Sequence, residues 1–208
     1  LALLLNEVSN GHFRKTFQTV SYAPHFISTV VMCGMLTLFL NPTSGIFNII
    51  ITKLGGESVN FLQDPANFKW IYVLSAVWQE MGWGSIIYFA TLSGVDRSLL
   101  EAAEIDGANR FQKIWYINVP VLIPTIIILL ILQCGSLLSV GYEKVYLLQN
   151  TTNLSGSEVI STYVYKVGLE QADFSFGAAA DLFNSVINST ILILANFIAK
   201  RTTDQGLF

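Results

Sequence analysis

Two groups of residues in this chain could do chemistry, and neither is arranged for covalent catalysis. In the first, Glu80 and Asp181 each interrupt a long apolar stretch, and Glu80 sits in the run Trp78-Gln79-Glu80-Met81-Gly82-Trp83-Gly84. Aromatic faces suit the C–H surfaces of a sugar and polar groups suit its hydroxyls, so Trp78, Glu80 and Trp83 are candidates for a solute path. The competing reading is that Trp83 and the glycines only pack helices closely. A carboxylate at the centre of a bilayer costs about 2.5–3.5 kcal/mol, so Glu80 must face a bundle interior or a wet cavity. Asp181, a few residues into its stretch, fits an interface equally well. The second group is the polar segment from Glu101 to Pro120, which offers charge, small side chains and a bend, the means for another protein to push on it. No nucleophile–base set accompanies His25, which reads as a packing or interfacial residue after Pro24. Cys33 and Cys134 lie in apolar stretches without ligand spacing. No catalytic residue, metal or cofactor is expected.

The polar segment reads as two short helices with a bend. Ser98 followed three residues later by Glu101 fits a capping box with Ser98 as N-cap. Glu101 is thus either a capping acid or a contact for a partner. Ala102, Ala103 and Ala108 leave the backbone open to close approach, and Gly107 stands where a helix would stop. A second turn set carries Phe111, Ile114 and Trp115 on one face, with Arg110 and Lys113 towards the other. Pro120 biases Asn118 and Val119 away from helix and begins the next apolar stretch.

The elements that must hold these groups are membrane helices. Only 12% of the 208 residues are charged and 52% are hydrophobic, against about 25% charged in soluble domains. A net charge of −3 with no basic run gives no argument for nucleic acid. A bilayer core of about 30 Å takes roughly 20 apolar residues as helix, and four windows qualify: about 20–40, 70–95, 117–140 and 177–199. The first residues, Leu1 to Leu5, read as the remnant of an earlier span, since no basic region or cleavage site marks a signal peptide. Seven of the eleven Lys and Arg (Arg14, Lys15, Arg97, Arg110, Lys113, Lys200 and Arg201) fall on one side of such a four-span chain. The positive-inside rule makes that side, with residues 96–119 and the C-terminal end, cytoplasmic.

The outer segments carry turn signals (Pro42, Gly45, Gly55-Gly56, Asp64-Pro65), and Ser157 to Gln171 shows helical spacing with Lys166 and Glu170 four apart. That segment is expected to be a short helix at the outer interface, with Tyr163, Tyr165, Trp70 and Tyr72 in the aromatic belt. Asn150, Asn153 and Asn188 open formal glycan sequons. No internal repeat is evident, so 1–208 reads as one domain.

Glu101-Ala102-Ala103, three residues, Gly107, nine residues, Ile117, one residue and Pro120 together resemble the loop signature of permease subunits of ATP-driven, binding-protein-dependent importers. Val119 departs from the family's usual Leu but keeps an apolar residue there. The run Ala172 to Ala180 leading into Leu182 to Asn188, and Asn60 to Pro65, are similar to the carbohydrate branch, especially permeases for aldouronate-type oligosaccharides. The resemblance implies an all-α, polytopic transmembrane helix bundle of the type I ABC importer permease kind with a six-helix core, so this sequence is expected to be N-terminally truncated. It also implies that Glu101, Ala102, Ala103, Asp106, Gly107, Arg110, Ile117 and Pro120 couple the chain to separate ABC ATPase subunits, as two copies or two chains. The other implied partners are a second permease subunit in a heterodimer, an extracytoplasmic solute-binding protein and the lipid of a bacterial plasma membrane. The chain has no Gly-x-x-x-x-Gly-Lys phosphate loop, so it is not expected to be an enzyme. Two alternatives stand beside carbohydrate import: the same machinery moving amino acids, peptides or another small solute, and an ion-coupled carrier using Glu80 and Asp181. The carrier reading calls for internal repeats.

Overall fold

The computed structural model of the chain describes residues 1–8, 10–138, 141–203 and 206. It is helical, with no strand among those residues. In chain order the α-helices are α1 (Ala2–Asn6), α2 (Gly11–Tyr22), α3 (Thr29–Phe39), α4 (Ile46–Lys53), α5 (Pro65–Ser93), α6 (Arg97–Ile105), α7 (Arg110–Lys113), α8 (Val119–Cys134), α9 (Tyr142–Leu148), α10 (Leu154–Ser157), α11 (Ile160–Tyr165) and α12 (Phe174–Thr203). A 3₁₀ turn (Ala23–Phe26) follows α2, and π-helical turns (Ile114–Asn118 and Lys166–Glu170) precede α8 and follow α11.

The run from Arg110 to Cys134 and the 30 residues of α12 are long and apolar enough to cross a bilayer; Gly11–Phe26 with Thr29–Phe39 adds a third crossing if that broken pair is one span. Helix α5, at 29 residues and about 44 Å, is long enough. Gln79-Glu80 and the Gly-Trp-Gly-Ser run dilute its apolar character. Residues 139 and 140, which end the third expected span, lie outside the described residues.

The first window, 20–40, is interrupted rather than continuous. Pro24 lacks an N–H to continue α2, the chain tightens into the 3₁₀ turn, and Ser28 caps α3 by accepting from the Val31 N–H at 3.3 Å. Pro120 gives the opposite result: Asn118 and Val119 are helical, with φ of −68° and −64°. The wide π turn before Pro120 and its place in the first turn of α8 make its missing N–H cheap.

The chain forms two compact units, one from Leu1–His25, Gln79–Ser136 and Asn188–Phe208, the other from Phe26–Trp78 and Leu137–Ile187. In the first, Ala2, Leu92 and Leu122 form a buried cluster flanked by Leu3, Tyr88 and Phe89. In the second, Cys33, Phe68, Val145 and Leu148 do the same, with Leu36, Leu62, Tyr72 and Val159 against them.

Asparagines tie down the loops of the second unit. Asn48 donates to the Asn41 and Val59 carbonyls and accepts from the Val59 N–H. Asn153, fully buried, donates to the carbonyls of Leu62 (2.8 Å) and Leu148 (3.1 Å) and accepts from the Asn150 N–H and the Ser157 hydroxyl. A sequon asparagine held this way is no glycan site. Replacing it with Ala orphans several buried polar groups at about 1–3 kcal/mol each. Asn153→Ala is therefore expected to lower the detergent melting temperature by several degrees, with exposed Thr151→Ala as the unchanged control; equal melting of the two would refute the account.

The segment 157–171 is broken at Glu158 and Val159, between the end of α10 at Ser157 and the start of α11 at Ile160, and its last turn is π. Lys166 pairs with Glu158 at 2.9 Å, not with Glu170, whose carboxylate accepts from the Tyr146 hydroxyl at 2.6 Å. Tyr142 and Tyr165 stack at 5.1 Å beside it.

Candidate functional site

The segment 96–120 holds two short helices, α6 and α7, joined through Gly107 and followed by the π turn into α8. Asp96 caps α6, its carboxylate accepting from the Ser98 N–H at 2.9 Å. The expected Ser98–Glu101 capping box is absent because Asp96, two residues earlier, supplies both the acceptor oxygen and a charge against the positive end of the helix. Helix α6 ends in a Schellman motif: the Ala108 N–H reaches the Ala103 carbonyl at 2.9 Å and the Gly107 N–H the Glu104 carbonyl at 3.0 Å. Gly107 takes φ +80°, the left-handed conformation that the stop requires. A capping box then opens α7, with Asn109 accepting from the Gln112 N–H at 2.9 Å and Gln112 accepting from the Asn109 N–H at 2.7 Å.

Across this turn Lys113 Nζ meets Glu104 Oε1 at 2.6 Å. The hydrogen bond from Lys113, reinforced by its charge, holds the Glu104 carboxyl below the usual carboxylate range. Hydrogen bonds from Ser98 do the same for Asp96. Both contributions are fully present above the ordinary carboxylate pKa and are lost as pH falls through each depressed value. The expected coupling residues line this device. Glu101, Ala102, Asp106, Gly107, Arg110 and Pro120 are exposed, whereas Ala103 and Ile117 are half-buried. Ile105 and Phe111, on either side of Gly107, are 87% and 83% exposed.

The three candidate path residues do not form one site. Glu80 and Trp83 are three apart and share a face of α5, whereas Trp78, two residues before Glu80, points elsewhere. Trp78 lines an apolar cleft of about 550 Å³ in the second unit with Trp70, Leu74, Met32 and Phe39. Glu80 and Trp83 instead converge on His25: the imidazole Nδ1 lies 2.9 Å from Glu80 Oε2, and the ring stacks on the Trp83 indole at 4.4 Å and 4°. Between them, buried Gly82 lets the Ser21 carbonyl approach so closely that a Cβ there would overlap it. Asp181 is exposed on α12.

Residues 1–204 match the model of the binding-protein-dependent transport system inner membrane component family. The chain belongs to that family. Two curated relatives from Bacillus subtilis (strain 168), protein LplB and the polygalacturonan/rhamnogalacturonan transport system permease protein YteP, are each 41% identical over 208 residues. That alignment covers all of this chain and 65% of each relative, so the chain spans about two thirds of their length. Among solved structures, a bacterial alginate ABC transporter in complex with an alginate pentasaccharide-bound periplasmic protein superposes with a TM-score of 0.96. It is 40% identical, and the match covers 99% of this chain and 72% of that one.

What sequence reasoning missed is which residues meet one another. His25 and Glu80 are 55 residues apart, so no local spacing could have joined them. Gly82 gave a hint in the Gly-Trp-Gly run, but its partner is a backbone carbonyl. Lys113 and Glu104 are nine apart, a separation with no helical meaning until Gly107 folds the chain back. For Asp96 the only available signal was its residue type, since Asp is favoured at helix N-caps.

Proposed function

We propose that this chain is the membrane-spanning permease subunit of an ATP-driven importer that takes up oligosaccharides delivered by an extracytoplasmic binding protein. The observation that carries the reading is the 96–120 segment within a chain of this family: both helices are capped and pinned, yet Ile105 and Phe111 stand almost fully exposed beside Gly107. Large apolar side chains displayed on a stiff polar loop mark a protein docking surface. The partner is a separate ATPase subunit, docking on Glu101, Ala102, Ala103, Asp106, Gly107, Arg110, Ile117 and Pro120. Two such subunits and a second permease subunit complete the machine. Carbohydrate as the cargo rests on what YteP and the alginate transporter are named for.

The translocation path runs along the α5 face that bears Glu80 and Trp83. Glu80 has 57% of its side chain exposed in the isolated chain, and an exposed carboxylate within a membrane helix cannot face lipid cheaply. It therefore faces a wet cavity, held by His25, with Trp83 beside it as an apolar platform. Glu80→Gln keeps the shape and weakens hydroxyl binding, since an ionised acceptor binds more strongly than an amide. Uptake is expected to fall about tenfold with assembly intact. Unchanged kinetics would remove Glu80 from the path.

The loop and the C-terminal end face the cytoplasm in this reading. With Cys33 and Cys134 replaced by Ala, a cysteine at Thr151 is expected to react with an impermeant thiol reagent in intact cells, and one at Ile105 only in inverted vesicles. The test of the function is co-purification with an ATPase subunit and a second permease, followed by uptake in liposomes. An importer requires internal ATP; a carrier would run on an ion gradient alone, and uptake without ATP would overturn the proposal.

A further inference from the structure

Resting on the importer reading, we infer that the Glu104–Lys113 ion pair is a strut that makes the loop transmit movement as one rigid body, and that both residues position the loop rather than touch the ATPase subunit. Helix α6 carries Glu101, Ala102 and Ala103, while Lys113 is the last residue of α7 and leads directly through the π turn into α8. The backbone between them passes through Asp106, Gly107 and Ala108, and Gly107 at φ +80° is the one residue in that turn with no side chain to restrain it. A helix joined to its neighbour only through such a turn can pivot about it, so a push on α6 would be absorbed as a change of interhelical angle.

The pair closes that degree of freedom. It bridges the two helices at 2.6 Å from the far side of the turn. Lys113 is held in place, with 16% of its side chain exposed against 62% for Glu104. It is the anchored end of the strut. The remaining restraints, the Schellman bonds and the Asn109–Gln112 box, each act within three to five residues and fix the stubs but not the angle between them. Neighbouring charges Glu101, Asp106 and Arg110 have no ion pair here among the described residues, so they stay available for a partner while Glu104 is engaged within the chain.

The experiment uses the complete complex in liposomes, with its ATPase subunits, second permease and binding protein. Nitroxide labels at Leu99 and at exposed Tyr116, in the π turn that continues α7, report the distance between the two arms of the loop. A mixed oligosaccharide digest of pectin, alginate and arabinan loads the binding protein, and the rise in ATP hydrolysis it triggers reports coupling. Glu104→Gln and Lys113→Met are each expected to broaden the distance distribution and cut that rise about threefold, the modest size an exposed pair sets. ATPase subunits should remain bound within twofold.

The exchanged pair Glu104→Lys with Lys113→Glu should narrow the distribution again and restore at least half of the rise. A lysine at the C-terminal end of α6 suits the helix dipole, so the exchange carries no penalty there. Failure of the wild-type chain to retain ATPase subunits would sink the importer reading itself, before any variant is compared. Retention by wild type with single variants that behave normally would overturn the strut. So would single variants that shed ATPase subunits and are not rescued by the exchange, because the residues would then be direct contacts.

Discussion

Gly107→Val is expected to abolish transport, a loss of more than a hundredfold, in a protein that still inserts and retains its other helices. The argument is purely conformational. A Cβ at Gly107 would meet nothing within 4 Å, so no clash with a neighbour is involved. What fails is φ +80°, a region that β-branched residues scarcely enter. The strain, of order 1–3 kcal/mol, is relieved by swinging φ negative, which breaks the Schellman bonds from Gly107 and Ala108 and pulls Glu104 away from Lys113. The two stubs then splay, and Ile105 and Phe111 no longer present one surface. Gly107→Asn supplies the internal control, because Asn tolerates the left-handed region far better than Val. Uptake in liposomes, compared with membrane insertion by labelling, decides the matter. Normal uptake with Val at this position would reduce the loop to a connector.

The loop was legible in the sequence because its design is local. A helix stop needs a glycine at one position, close approach needs small side chains, and both leave fixed spacings that survive without any tertiary information. The long apolar runs of α8 and α12 were legible for the same reason: in lipid every backbone group must be satisfied within the helix, so length and composition alone are informative. Prolines were the weak point. Pro24 breaks its stretch and Pro120 does not, and the difference lies in the turn each one meets: a tight 3₁₀ turn followed by a Ser28 cap in one case, a wide π turn in the other. Propensity cannot separate those outcomes, since both prolines favour an extended predecessor. Side-chain partnerships were the other gap. Lys166 and Glu170 had the spacing of a helical pair, yet Glu158 and Tyr146 claimed them across loops whose course no periodicity records. Trp78, Glu80 and Trp83 were grouped by adjacency in sequence, whereas helical geometry divides them between two faces.

Gly82→Ala is expected to have the largest effect on folding of any single methyl in the first unit. The added Cβ would overlap the Ser21 carbonyl and crowd the Tyr22 amide, and both are backbone atoms that cannot swing aside as the tip of a side chain can. Overpacking of this kind costs about 1–3 kcal/mol, and a clash with rigid backbone belongs at or above the top of that range. Gly84, two residues along the same helix, has open space around it. Gly84→Ala therefore carries the same chemical change without the obstacle and should melt like the parent or slightly above it, given the better helix propensity of Ala. The contrast also reports on function. Segment Ser21 to His25 is held against α5 at Gly82, and the same segment delivers the His25 ring to Glu80 and Trp83. If Gly82→Ala pushes the segment outward, His25 leaves both partners, and Glu80 stays in its helix without the imidazole that orients it. Surviving protein should then show weakened uptake together with a changed Trp83 environment in fluorescence, a signature that a mere loss of yield would not give. Equal melting temperatures for Gly82→Ala and Gly84→Ala would show that the close approach of Ser21 to α5 is not a feature of the folded protein.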